Sequence, residues 1–249
     1  MKIVVTVKQI KVLGDEVEFS ADGRDVDPNY LDRALKEWDA CAVEEALQNR
    51  DRLGDGEVVI VTAGDEEAEG ALRQCLAMGA DRAIRVDASP LDPVSTARAL
   101  AGAVAAESAD LVLTGVQSAD SVQGSTGTAL AELLELPRVA VVTKIDWSGT
   151  GVATVDRELE GGLVDVVEVD TPALLTVQTG INQPRYANLR AIKQAERQEI
   201  SVVAVDAGEP AYRVRRLISP PRGAGAELLD GDPSSVAQRI VELVTERLA

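Results

Sequence analysis

The sequence contains no histidine. That absence removes the Ser-His-Asp triad, the Cys-His pair and every imidazole-ligated metal site. Cysteine is almost as scarce: Cys41 and Cys75 stand alone on apolar helix faces, in no metal-ligand or redox spacing. Aromatic residues make up only 2% of the chain, so its core has to be aliphatic. Cationic excess is missing too. The net charge is −17, which argues against nucleic acid as a general partner. No apolar run reaches the ~18 residues of a membrane-spanning helix, so direct membrane insertion is not expected. The opening MKIVVTVKQI reads as a strand rather than a signal peptide. A soluble, cytoplasmic protein is the expectation. Among 42 acidic residues no carboxylate pair stands out as an acid–base couple. The balance favours binding or electron transfer, in which a cofactor carries the chemistry.

What is present is a strand–helix rhythm. Residues 2–7 form an apolar β-branched run suited to a central parallel strand, with Lys8 at its C-terminal end, where α/β folds place ligands. Residues 14–27 are polar and read as an irregular excursion or small hairpin. Residues 31–50 read as helix: Trp38, Cys41, Ala42, Ala46 and Leu47 keep near-helical spacing, with Glu44 and Glu45 on its solvated shoulder. VVIVT at 58–62 is a second buried strand, ending at Ala63-Gly64. A helix through Ala68, Ala71, Leu72, Cys75 and Leu76 stops at Gly79. Residues 83–86 are a strand, 92–107 a helix, and 140–145 another strand. This alternation predicts a three-layer, doubly wound α/β fold with a mostly parallel sheet. After Asp146 the rhythm changes. Residues 152–158 and 163–169, set between turns at 149–151 and Gly161-Gly162, predict an antiparallel edge hairpin, and 173–177 returns to a central strand. Residues 199–205 are a further strand.

Three stretches carry functional signals. In DLVLTGVQSADSVQGSTGTALAELL (110–134) a buried strand at 111–113 leads to a helix whose Ala129, Leu130, Leu133 and Leu134 cover one face. Between them, Gly115 and the Gly124-Ser125-Thr126-Gly127-Thr128 run suit backbone N–H groups approaching an anion, helped by the helix dipole. An ordinary capping turn is the alternative. No Walker lysine is present, which disfavours phosphoryl transfer. Second, NQPRYANLRAIKQAER (182–197) carries Arg185, Arg190, Lys193 and Arg197 against Glu196 alone. Leu189 and Ile192 would share one face of a short helix. It reads either as a packed connector or as a partner-recognition segment with a basic rim and apolar anchors. Third, residues 213–222 hold four arginines and no acid, and Pro220-Pro221 and Gly223-Ala224-Gly225 interrupt regular structure. Asp232-Pro233 then starts a helix with apolar positions at Val236, Ile240, Leu243, Val244 and Leu248. The expected division is an α/β domain over 1–205 and an arm over 206–249, laid across another subunit or folded back on its own domain.

KIVVTVK, AVEEAL (42–47), LAMGADRAIRV (76–86), DLVLTG with its loop, VDRELEGG (155–162), TPALLTV and above all NQPRYANLRAIKQA together resemble the β subunit of electron-transfer flavoprotein, from Met1 to about Val205. The resemblance implies an α/β electron-carrier subunit, with no catalytic or metal site of its own, paired with a larger α subunit that holds most of the FAD. It implies a structural AMP bound by Thr6, Val7, Ala63, Gly64, Gln117, Asp120, Gln123, Gly124, Ser125, Thr126, Gly127 and Thr128. Residues 182–195 would be the loop that docks acyl-CoA-type dehydrogenases, through Pro184, Arg185, Tyr186, Leu189, Ile192 and Lys193, with Leu189 as anchor. Electrons would pass on to a membrane quinone oxidoreductase. Arg157 and Glu160 would lie near the flavin or the α subunit. The chain departs from the family's pattern at Lys36-Glu37, where Asn-Pro is common, at Val164-Asp165, where Glu is expected, and at Leu13, where an aromatic can occur. Two alternatives stand beside this reading: a sensor similar to universal stress proteins, and a bifurcating relative with a second FAD in place of AMP. A free-standing enzyme of the adenine-nucleotide hydrolase type lacks its SGG-type loop here.

Overall fold

Runs of Val, Ile and Leu pair side by side because branched side chains fill both faces of a pleated sheet. The computed structural model describes residues 1–249 except 15, 36, 90–91, 222–224, 227 and 249. Lys36 in the first departure and Arg222, Gly223 and Ala224 of the arm therefore lie outside the described residues. In chain order the elements are β1 (Lys2–Thr6), β2 (Gln9–Leu13), β3 (Leu31–Leu35), α1 (Glu37–Leu53), β4 (Glu57–Ala63), α2 (Glu69–Met78), β5 (Arg82–Asp87), α3 (Pro93–Glu107), β6 (Leu111–Gly115) and α4 (Thr126–Leu133). They continue with β7 (Arg138–Trp147), β8 (Val152–Glu158), β9 (Val164–Asp170), β10 (Ala173–Val177), α5 (Leu189–Ala195), β11 (Ser201–Ala204) and α6 (Pro233–Leu248).

Among the described residues, nine strands make one sheet in the order β11-β5-β4-β1-β6-β10-β7-β8-β9. Every pairing from β11 to β7 is parallel, and β7, β8 and β9 close the edge as an antiparallel meander. On one face Ile3, Val5, Val58, Ile60, Leu111 and Leu113 pack with Cys41, Leu47, Leu72 and Cys75 of α1 and α2. On the other, Val4, Val59, Val61 and Val112 pack with Ala97, Leu100 and Val104 of α3 and Leu130 of α4. Each fully buried Val, Leu or Ile contributes about 1.5–3 kcal/mol relative to an exposed one. The doubly wound parallel fold with an antiparallel edge hairpin matches the expectation, as does the return of β10 to the centre, between β6 and β7.

Three local readings are corrected. Residues 31–35 are not helix: β3 pairs antiparallel with β2, from Gln9–Leu35 to Leu13–Leu31, and α1 begins only at Glu37. A strand partner supplied by the segment after β1 overrides the local helical preference. Glu44 and Glu45 are buried rather than solvated, because residues 182–185 lie across that face of α1. Leu133 is exposed rather than on the covered face; α4 buries the expected Leu130, with Ala131 beside it.

Contacts divide the chain into Met1–Arg215 and Arg216–Ala249. The division falls later than the 205/206 junction because residues 206–215 stay with the first unit, where the Ala211 N–H donates to Asp92 Oδ2 at 2.8 Å. In the second unit Asp232 caps α6 through the Ser234 and Ser235 N–H groups, at 3.0 and 3.2 Å. None of the described residues of α6 is buried.

Candidate functional site

β1 lies between β4 and β6. The chain leaves β1 through α1 on one face and reaches β6 through α3 on the other, so the C-terminal ends of β1 and β6 part at a topological switch point. A cavity of about 370 Å³ opens there. That volume falls within the ~300–1,000 Å³ typical of small-molecule sites. Thr6, Val7, Ala63, Gly64, Gln117, Gln123, Gly124, Ser125, Thr126 and Gly127 all line it. Asp120 and Thr128 are not in its wall, although Asp120 is tied to the wall residue Lys8, whose ammonium lies 2.7 Å from Asp120 Oδ1. Burial opposes ionisation of Asp120, yet Lys8 and the Ser118 hydroxyl outweigh it and hold the carboxyl below its ordinary range.

The wall is shaped by close backbone approach. A Cβ at Gly127 would meet Thr114 Oγ1 at 2.6 Å and Thr176 Cγ2 at 2.9 Å, so only glycine lets α4 start this close to β6 and β10. Gly124, with φ of 57°, turns the loop into that helix. Ser125 occupies the N-cap of α4, but its side chain makes no capping hydrogen bond. The first turn of α4 thus begins on residues that line the cavity, and its N-cap side chain supplies no acceptor to it. That arrangement favours anion binding over the simple capping turn.

Among the wall groups not singled out from the sequence as site residues are Asp39 and Asp92. Asp39, in the first turn of α1, accepts from the Lys8 N–H at 2.8 Å and the Gly115 N–H at 3.2 Å, and so clamps the ends of β1 and β6 together. Burial pushes its carboxyl up to about 7, against the two backbone donors that favour the charge. Asp92 caps α3 through the Val94 and Ser95 N–H groups at 2.9 and 3.0 Å, which holds its carboxyl below the usual range. The helix beginning at Asp92 was legible from the sequence. Its convergence with β1 and α4 was not. Tyr212, from the tract after β11, bonds through its hydroxyl to the Gln123 amide beside the cavity.

The basic segment lies elsewhere, against α1 and α2. Asn188 caps α5 through the Ala191 N–H at 2.9 Å, and Arg73 of α2 donates to the Ala195, Glu196 and Gln198 carbonyls at 2.8, 3.1 and 3.3 Å. Tyr186, Leu189, Ile192 and Lys193 are exposed, Leu189 by 78%, whereas Pro184 and Arg185 are half-buried. Leu189, Arg190, Lys193, Gln194 and Arg197 line a shallow groove. The Arg185 guanidinium is engaged within the chain, by Glu44 and Asp51. Arg157 and Glu160 are exposed at the end of the β8–β9 hairpin, and Leu13 is exposed at the end of β2. Among the described residues no cluster of three or more His, Cys, Asp or Glu side chains is placed to hold a metal ion. Among them, too, no helix is long and apolar enough to cross a membrane.

Residues 26–208 match the Electron transfer flavoprotein domain family. The chain is 40% identical to the electron transfer flavoprotein subunit beta of Methylophilus methylotrophus, covering 99% of this chain and 98% of that protein. It is 33% identical to the mitochondrial electron transfer flavoprotein subunit beta of Oryza sativa subsp. indica, over 99% and 98% of the two chains. Against the electron transfer flavoprotein subunit beta of Bacillus subtilis the identity is 33%, over 84% and 85%.

Proposed function

The chain belongs to the electron transfer flavoprotein family, with the beta subunits, and from that premise we propose that it is the non-catalytic, cytoplasmic β subunit of a heterodimer whose FAD is held mainly by an α subunit. FAD supplies the one- and two-electron chemistry. This chain supplies a structural nucleotide site and a docking segment. The nucleotide is AMP: its phosphate lies on the N–H groups of 124–127 and the hydroxyls of Ser125 and Thr126, and its base lies toward Val7, Ala63 and Gly64. The observation that carries this reading is the N-terminus of α4, which faces the cavity with no side-chain cap. Asp120 contributes by holding Lys8 at the rim. Thr128, in the first turn of α4, supports the helix start.

The exposed face of 184–193 docks an acyl-CoA-type dehydrogenase, with Leu189 as the apolar anchor within a basic rim formed by Arg190, Lys193 and Arg197. A small anchor leaves the flavin-bearing part free to move between this donor and a membrane quinone oxidoreductase. Arg157 and Glu160, at the tip of the edge hairpin, lie toward the α subunit or the flavin. Family membership sets aside the stress-protein alternative.

The test is to purify the native complex, denature it and identify the released nucleotides by chromatography and mass. AMP and FAD in equal amounts with a copurifying larger subunit is the expected result. FAD alone at two per heterodimer would assign the cavity to a second flavin, as in a bifurcating carrier, and ATP without a partner subunit would overturn the proposal.

A further inference from the structure

The docking segment is not held by its own helix. α5 spans only Leu189–Ala195, and the residues before it form no regular element. What fixes them is a pair of consecutive carboxylates on α1. Glu44 is only 3% exposed, and it receives three bonds from one residue. The Arg185 Nε–H and backbone N–H donate to Oε2 at 2.8 and 3.1 Å, and the Arg185 NH2 group donates to Oε1 at 3.0 Å. This is a fork-to-fork guanidinium pair supplemented by a main-chain donor, so both the position and the rotation of residue 185 are determined. Glu45 accepts from the Asn182 amide at 3.0 Å. The next residue after the clamp is Tyr186, which is fully exposed, and Leu189 follows within a turn.

We propose that Glu44 is a positioning residue for partner docking: by holding Arg185 against α1, its buried carboxylate sets the angle at which Tyr186 and Leu189 leave the protein surface. The inference rests on the docking reading given above, and it removes Arg185 from the contact surface. Its charge is neutralised inside the subunit, so the partner meets an apolar centre with Arg190, Lys193 and Arg197 as the cationic rim. The opposite end of the segment is pinned independently by Arg73 on the α5 carbonyls. Loss of the Glu44 clamp therefore loosens one end of the segment, where Arg185 keeps only Asp51 and Asn182 keeps Glu45, and leaves the other end attached.

The test uses the FAD-loaded heterodimer with an acyl-CoA dehydrogenase, reduced by its acyl-CoA, as the donor probe, and compares Glu44→Gln, Arg185→Lys and Leu189→Ala. Glu44→Gln is expected to raise the KM for the reduced dehydrogenase roughly tenfold, leave kcat and FAD content as in the parent, and speed amide hydrogen exchange at 183–188 while 195–198 stays protected. Arg185→Lys keeps the charge but loses the fork, and it is expected to reproduce the effect more weakly. This second variant guards against a Glu44 variant that fails to fold. If Leu189→Ala raises KM but Glu44→Gln and Arg185→Lys do not, the positioning role is overturned and the docking reading stands. If Leu189→Ala leaves KM unchanged, both are overturned.

Discussion

Asp39 and Glu44 stand five positions apart on the same helix, both shielded from water, and their carboxyls shift in opposite directions. Asp39 is met by two backbone N–H groups, and burial wins, pushing it up to about 7. Glu44 loses water as well, but the Arg185 fork and the Gln48 amide outweigh that loss and hold it below the usual carboxylate range. Glu45, bound by the Asn182 and Asn49 amides alone, shifts upward with Asp39. Neutral donors satisfy lone pairs without supplying a counter-charge; a guanidinium does both. The start of α1 thus joins the cavity through a carboxyl that titrates near neutrality, and its middle joins the docking segment through one that stays ionised.

The comparison can be broken first at Glu44. Glu44→Gln leaves the Arg185 guanidinium with Asp51 as its remaining carboxylate partner and should cost about 3 kcal/mol, the low end for a broken buried pair because Arg185 keeps that partner and part of its surface in water. Urea unfolding at pH 7 measures it. The folded-state pKa of Glu44 is depressed, so its contribution is present above the ordinary carboxylate range and is lost as pH falls through the folded value. The gap between parent and variant should therefore close on acidification.

Gly127→Ala attacks the cavity and spares the docking segment. The new Cβ has to displace the buried Thr114 and Thr176 side chains, at a cost of about 2 kcal/mol. Nucleotide released from the purified variant should fall below parental stoichiometry, while the KM for a donor dehydrogenase is unchanged.

Asp39→Asn sharpens the contrast by removing the charge; it also replaces one of the two acceptor oxygens with an NH2 group, a loss that does not vary with pH. The folded pKa of Asp39 is raised, so its stabilising contribution is complete at acid pH and is lost as pH rises through about 7. Compared with the parent, the variant should gain on the order of 1 kcal/mol between pH 5.5 and pH 8.5, read as a change in the difference of melting temperatures. A constant difference would mean that Asp39 titrates outside this interval.

Leu189→Ala is the smallest in stability, within about 0.5 kcal/mol, because the side chain is already exposed. Unfolding curves should overlay those of the parent while electron transfer from the dehydrogenase slows. A clear loss of stability or of bound FAD would identify Leu189 as a packing residue.

Much of the fold was legible because its signals are local. The runs at 2–7, 58–62 and 111–113, the spacing from Ala68 to Leu76 and the Asp232-Pro233 start each settle an element within a few residues. The strand at 31–35 was not, since its only reason to be extended is a partner more than a dozen residues upstream. The part of the cavity wall at Gly115 and 124–127 was readable from small residues at a strand–helix junction, whereas Thr6, Val7, Ala63 and Gly64 entered only through the family resemblance. Asp39 was not readable, because nothing in EWDACAVEEAL distinguishes an aspartate that bridges two strand ends from one that decorates a helix start.

By itself, the sequence determined the alternation of buried strands and amphipathic helices, the glycine-rich turn before α4, and the basic, leucine-bearing segment at 182–197, since composition and spacing within a short window suffice for each. Only the tertiary structure decided which charges face water. Glu44 and Glu45 read as surface residues until residues 182–185 are laid across them, and Arg185 reads as a docking cation until its partner is found more than a hundred residues earlier. The physical reason is that burial and ion pairing depend on distances through space, and a linear pattern records only distances along the chain.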